Sequence, residues 1–200
     1  MAGDVGARIL ELGGRCAWKI GDRPASVAVG TLVRMIQIFP VHGIPQLTGG
    51  DDVAAVIGSA LNSLEGGEHL RGADVVAVAG KIVAKAQGRW HKEGTQPSGF
   101  RTRAGIPAKL GLGAPSDPDA AAAEIRRGLA ARFGGRAGVI VTASRAGGTD
   151  VAIGRAGVDV AADAGAPVAD ALAALAGTVM ELEGTPVVVI RGLEVLTWED

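Results

Sequence analysis

The sequence predicts an α+β domain, a mixed sheet with flanking helices, and three observations carry that prediction. Short runs rich in Val, Ala and Ile, each of strand length, recur along the chain. Between them lie longer Ala- and Leu-rich segments with helical periodicity and recognisable caps. No fixed period repeats, which sets aside solenoids and propellers. At 200 residues with 48% hydrophobic content, the chain is long enough for one cored domain and short for two.

The elements follow in order. Residues 36–41 read as a strand, followed by the loop GIPQLTGG and a helix from Asp52 to about Leu64, with Asp51 or Asp52 as N-cap. DVVAVA (74–79) is a buried strand that runs into KIVAKAQGR (81–89), a turn or short helix. Residues 90–116 are rich in Gly, Pro and basic groups with weak periodicity, and are expected to be mostly loop. DPDAAAAEIRRGLAARFGG is a helix capped by Asp117 or Asp119, with Ile125, Leu129 and Phe133 on its apolar face and a stop at Gly134. AGVIVTAS (137–144) and TDVAIGRAGVDV (149–160) read as strands, VADALAALAGTVMELEG as a helix ending at Gly184, and TPVVVIRGL (185–193) as a closing strand. Residues 1–34 stand apart from this alternation. They read either as a mis-assigned start or as an extension whose β-segments are ILELGG, CAWKIG and SVAVGTLV.

Composition excludes several classes of function. A net charge of -1 gives no basic footprint for nucleic acid. No apolar run approaches the roughly 18 residues of a membrane span, and no signal-peptide pattern opens the chain, so a cytoplasmic protein is expected. Cys16 is single and has no local His or Asp arrangement, which is the pattern of a small buried hydrophobe. His42, His69 and His91 are too scattered for a zinc site. Neither a dinucleotide fingerprint, a Walker P-loop nor a nucleophile elbow occurs.

Two segments carry candidate chemistry. In the loop around Val41, Gly43, Ile44 and Pro45, continuing to Gly49 and Gly50, glycine lets backbone N–H groups approach a phosphate or base edge closely. The same Gly and Pro also serve simply to shape a strand-to-helix turn. Lys81 and Lys85 are four apart and share a helical face, which suits either phosphate oxygens or solvent.

The blocks IQIFPVHGIPQLTGGDD (36–52), KIVAKAQGR, DPDAAAAEIRR, GTDVAIG and VVVIRGL, in that order, resemble the coenzyme F420-0:γ-glutamyl ligase family. The resemblance implies a ligase of F420 biosynthesis that adds L-glutamate to the tail of the deazaflavin F420-0. It further implies dependence on GTP and on Mg²⁺ or Mn²⁺, and assembly as a homodimer. It implies nucleotide contacts at Val41, Gly43, Ile44, Pro45, Lys81 and Lys85, and makes residues 35–200 one ligase-like domain. Arg191, in the terminal strand motif, is expected to act as an ion-pair partner at the core edge rather than as an anion contact.

The departures from the family pattern concentrate where charge is needed. Pro107 and Ala143 stand where the resemblance implies metal-binding aspartates, and Gly80, Ala84 and Gln87 replace two hydroxyls and a carboxylate. Two family segments are replaced by WHKEGTQPS and DAGAP. The substitute metal donors are Thr142, Ser144 and Asp150, with Asp159 and Asp163 behind them. Two functions therefore stay open: a GTP- and metal-dependent ligase of altered activity, or a catalytically inactive relative that binds nucleotide, cofactor or a partner.

Overall fold

The computed structural model describes residues 10–12, 15–20, 23–25, 35–63, 70–92, 110–135, 137–144, 149–158 and 168–193. They fall into two compact units, Met1–Met35 and Ile36–Asp200. In the first, β1 (Leu10–Leu12), β2 (Arg15–Ile20) and β3 (Arg23–Ala25) form an antiparallel sheet in the order β1-β2-β3. Two of the expected N-terminal segments thus contain strands; the third, SVAVGTLV, lies outside the described residues.

The second unit is built on a five-stranded sheet in the order β4-β10-β5-β8-β9. β4 (Gln37–Pro40) and β5 (Val75–Ala79) flank β10 (Val187–Arg191), both antiparallel to it. β8 (Gly138–Ser144) runs parallel to β5, and β9 (Asp150–Ala156) returns antiparallel along the edge. The sheet is therefore mixed, as the alternation of the sequence predicts. Its central strands are apolar on both faces because both faces are covered, so VVAVA and VVVIR read as continuous runs and not as an alternating pattern.

One face carries α1 (Val53–Asn62), the short α2 (Gly80–Ala86) and α3 (Pro118–Phe133). Val76, Val78, Val139 and Val141 point to that face and join Ile57, Leu61, Ile82, Val83, Ile125 and Leu129 in one core. The intervening residues Val75, Ala77 and Ile140 join Leu172, Ala173, Ala176 and Met180 of α4 (Val168–Glu183) in a second core on the other face.

Helix ends resolve the alternatives left by the sequence. Asp52 caps α1 by accepting from Ala55 N–H at 3.0 Å, while Asp51 turns back to the Thr48 N–H at 2.6 Å. Asp117 caps α3 through Ala120 N–H at 2.9 Å, and Asp119 instead accepts from Arg155 N–H on β9 at 2.8 Å. α1 and α3 pack closely because Gly128 faces Ala54; a Cβ at 128 would lie 2.5 Å from the Ala54 Cβ.

Of the stretch 90–116, expected to be mostly loop, the structure describes 90–92 and 110–116. β6 (Trp90–Lys92) and β7 (Leu110–Leu112) pair antiparallel as a two-stranded sheet. Three-residue strands are too short to show a period, and β7 is also anchored by Leu112, which is buried.

Candidate functional site

The loop that follows β4 is held at both ends. Val41 N–H donates to Val187 C=O at 2.9 Å, and the Thr185 hydroxyl donates to Val41 C=O. Gly50 N–H donates to Ala86 C=O at 2.8 Å, which ties the far end of the loop to the last turn of α2. Val41 and Leu47 are buried as anchors, whereas Gly43, Pro45 and Gln46 are exposed and Ile44 is half-buried. Gly43 has φ +78 and Gly50 φ +93, backbone that a residue with a Cβ adopts only with strain. His42 is an exposed turn residue, with Nε2 3.9 Å from Glu183 Oε2.

α2 follows β5 without a break and supplies Lys81 and Lys85. Lys85 is only 5% exposed, and its Nζ donates to Gln46 Oε1 at 2.8 Å. That bond is the direct link between the two halves of the sequence-derived nucleotide site. Gln46 was not among the residues expected to matter; it lies 39 positions from Lys85, and nothing local in the sequence signals the pairing. Burial, and then the neighbouring Lys81 ammonium, push Lys85 below the usual lysine range. Lys81 is half-buried on the same helix. Among the described residues no carboxylate pairs with either lysine.

The positions flanking these lysines have been taken over by packing. A Cβ at Gly80 would lie 2.9 Å from Thr142 C=O and 3.3 Å from Ile153 Cδ1, so a serine there would force the backbone of β8 to give way. Ala84 is fully buried in the core. Gln87 Oε1 accepts from the Ser116 N–H at 2.9 Å and its hydroxyl at 3.4 Å, holding the chain that leads into α3.

Thr142, Ser144 and Asp150 do come together, at the β8–β9 edge. Ser144 pairs with Asp150 in the ladder, and Thr142 Oγ1 donates to Asp150 Oδ2 at 3.4 Å. A bulge between Val141 and Thr142 re-aims this end of the strands. By strand alternation the three side chains face α4, since Ile140 belongs to the α4 core and Val141 to the opposite one. Ala143 faces the side of α2 and α3. Ala143 therefore lies on the opposite face of the sheet from Thr142, Ser144 and Asp150.

These donors do not by themselves fit a divalent cation. They supply one carboxylate and two hydroxyls, where a hard cation takes six or so oxygens and more negative charge. The Asp150 carboxylate is also backed against α4: a Cβ at Gly177 would lie 2.5 Å from its Oδ2. The nearby Asp170 is engaged, accepting from Ala152 N–H at 3.0 Å. Among the described residues no group of three or more His, Cys, Asp or Glu side chains could hold a metal. Pro107, Asp159 and Asp163 lie outside the described residues.

Arg191 has the structural role expected of it. Its Nε and one terminal nitrogen each donate at 2.9 Å to the two oxygens of Asp74, a residue with no exposed surface. Arg71 N–H donates to the same carboxylate at 2.8 Å, and the guanidinium lies 5.0 Å from the centre of the Phe39 ring. The importance of Asp74 was not visible in the sequence, where it reads as the first residue of a strand.

No helix among the described residues is long and apolar enough to cross a membrane. The family model described as F420-0:Gamma-glutamyl ligase matches residues 43–100 and 101–192, which spans the loop, α2, both cores and β10. The chain is 28% identical to the coenzyme F420:L-glutamate ligase of Archaeoglobus fulgidus over 228 aligned positions, taking in 80% of this chain and 89% of the relative. That span exceeds the 200 residues of the chain, so the relative carries segments with no counterpart here. The enzyme of the same name from Methanothermobacter thermautotrophicus is 47% identical over 53 residues, 26% of this chain and 20% of the relative. That from Halorubrum lacusprofundi is 36% identical over 69 residues, 34% of this chain and 25% of the relative. With a match that runs through the loop, both faces of the sheet and its closing strand, the chain belongs to the F420-0:Gamma-glutamyl ligase family.

Proposed function

We propose that this chain is a binding member of its family: it takes GTP at the loop of Val41, Gly43, Ile44 and Pro45 with Lys81 and Lys85, and F420-0 as its cofactor ligand, but does not sustain glutamate ligation. The observation that carries this reading is the contrast around α2. The loop and both lysines are kept and joined through Gln46, whereas Ala143 and Gly80 present a methyl and no side chain. Amide ligation through an acyl phosphate needs phosphate charge neutralised while a phosphoryl group moves to the acceptor carboxylate. Cradling the nucleotide needs only donors and positive charge. The residues kept serve the second task, and those replaced serve the first.

A second reading is the family's reaction itself, a GTP- and divalent-metal-dependent addition of L-glutamate to F420-0. The length of the family match favours it. It requires metal donors beyond Thr142, Ser144 and Asp150. A homodimer goes with either reading. Among the described residues β4 has no strand on its outer edge and Leu182 on α4 is 78% exposed, which supports an assembly that covers them.

The test is mass spectrometry of F420-0 incubated with the protein, GTP, L-glutamate and Mg²⁺ or Mn²⁺, beside an active full-length relative. The expected result is no glutamylated product in the presence of measurable GTP binding. A product one glutamate heavier would overturn the binding reading in favour of the ligase.

A further inference from the structure

From the single neutral acceptor that Lys85 has among the described residues we infer that the phosphate-bearing ligand of this site is held by the ammonium groups of Lys85 and Lys81 without a divalent cation, an anionic oxygen taking the acceptor position now filled by Gln46 Oε1. The inference rests on the nucleotide-site reading above and specifies how the charge is met.

A buried ammonium is costly unless its charge is compensated and its three protons find acceptors. Lys85 is 5% exposed and, among the described residues, has one acceptor, a neutral amide oxygen. A second ammonium, that of Lys81, stands four residues away on the same helix and makes the positive charge harder to hold. The other buried cation among the described residues, Arg191, has a carboxylate with which it shares two bonds. Among the described residues one buried cation is thus matched by a carboxylate and the other by a single amide, the pattern of a cation kept for an anion from outside. Gln46 supplies the route, because it is exposed on the loop whereas Val41 and Leu47 are the buried anchors.

Among the described residues, the charge that would otherwise come from a metal has no carboxylate cluster to hold it on this side. Ala143 faces the α2 layer with a methyl, and the Thr142, Ser144 and Asp150 group faces α4 across the sheet. Two lysine point charges, which bind phosphate oxygens well, remain.

The test is equilibrium binding of GTP, with inorganic pyrophosphate as a second probe, in EDTA and again in excess Mg²⁺ or Mn²⁺. The expected result is an affinity that changes less than about threefold between the two conditions. Lys85→Met should lower it more than tenfold, Lys81→Ala severalfold, and Gln46→Ala should raise it. The half-buried Lys81 keeps the test usable should Lys85→Met disturb folding, which a melting curve reads separately. Binding seen only with the metal, or Lys81→Ala and a folded Lys85→Met that bind like the parent, would overturn this inference and leave the nucleotide site standing. No binding of GTP in either condition would overturn both. Equal binding of pyrophosphate and GTP would assign the site to the phosphate chain, and a strong preference for GTP would add a base contact.

Discussion

Two buried charged places lie in the same unit and are treated in opposite ways. At the start of β5 and the end of β10, Asp74 and Arg191 satisfy each other, helped by the Arg71 N–H and the Phe39 ring. Along α2, after the end of β5, Lys85 is buried and has no counter-charge among the described residues. The comparison teaches how to separate structural from functional charge in a divergent family member. A pair that closes on itself holds the fold, and a buried cation left open faces a ligand.

The largest expected effect breaks the closed pair. Asp74→Ala strands a buried guanidinium without its carboxylate and should cost about 3–5 kcal/mol in denaturant unfolding. The double variant Asp74→Leu, Arg191→Met should lose less than Asp74→Ala alone, because no unpaired charge is left behind; a loss equal to the sum of the single losses would show that the two residues act independently.

Next comes the crowding at the other edge of the sheet. Gly177→Ala should destabilise by about 1–3 kcal/mol, since the new Cβ meets the Asp150 carboxylate and Cβ. In an Asp150→Gly background, which removes the Cβ 2.7 Å away together with the carboxylate, the same substitution should become neutral or stabilising, as alanine is about 1 kcal/mol better than glycine within a helix. Persistent destabilisation in that background would mean that something other than Asp150 fills the space.

The open charge predicts the reverse sign. Lys85→Met should raise the melting temperature by about 2–4 °C, the shift a 1 kcal/mol gain produces in a domain of this size. The pH dependence follows from the lowered pKa of Lys85. Below that value the lysine is protonated in both folded and unfolded chains, and the folded protein carries the full penalty of the buried charge. Between that value and the ordinary lysine value the folded protein has released a proton that the unfolded chain still binds, so stability rises with pH. Lys85→Met should remove this alkaline rise; a melting curve series with the same slope in both proteins would contradict it.

The smallest effects are at the caps. Asp52→Ala and Asp117→Ala should each cost about 1 kcal/mol by thermal or urea unfolding, and Asp51→Ala less than Asp52→Ala, because Asp51 closes a turn on Thr48 and does not cap α1.

Much of the fold was legible because it rests on local patterns. The Asp117 cap, the Ala-rich run and the Gly134 stop announce α3 within one window of sequence, and the Val-rich runs announce β5, β8 and β10. What was not legible depends on partners far along the chain. β6 and β7 are three residues each and pair with each other. Asp74 needs Arg191, 117 positions away, before it means anything. For the candidate site, the loop and the two lysines could be named as candidates, but the Gln46 bond and the opposite facing of Ala143 and Asp150 could not. A one-residue step along a strand changes face, so adjacent donors in sequence are not adjacent in space.

The most direct measurement of the central claim is the pKa of Lys85 itself, followed by the ¹³Cε chemical shift of labelled protein across the alkaline range, with and without GTP in EDTA. An open buried ammonium predicts a value below that of an exposed lysine in the protein alone, moving upward when phosphate oxygens favour the charged form. An ordinary value that GTP leaves unmoved, under conditions where GTP binds, would contradict the account and return Lys85 to the packing of α2.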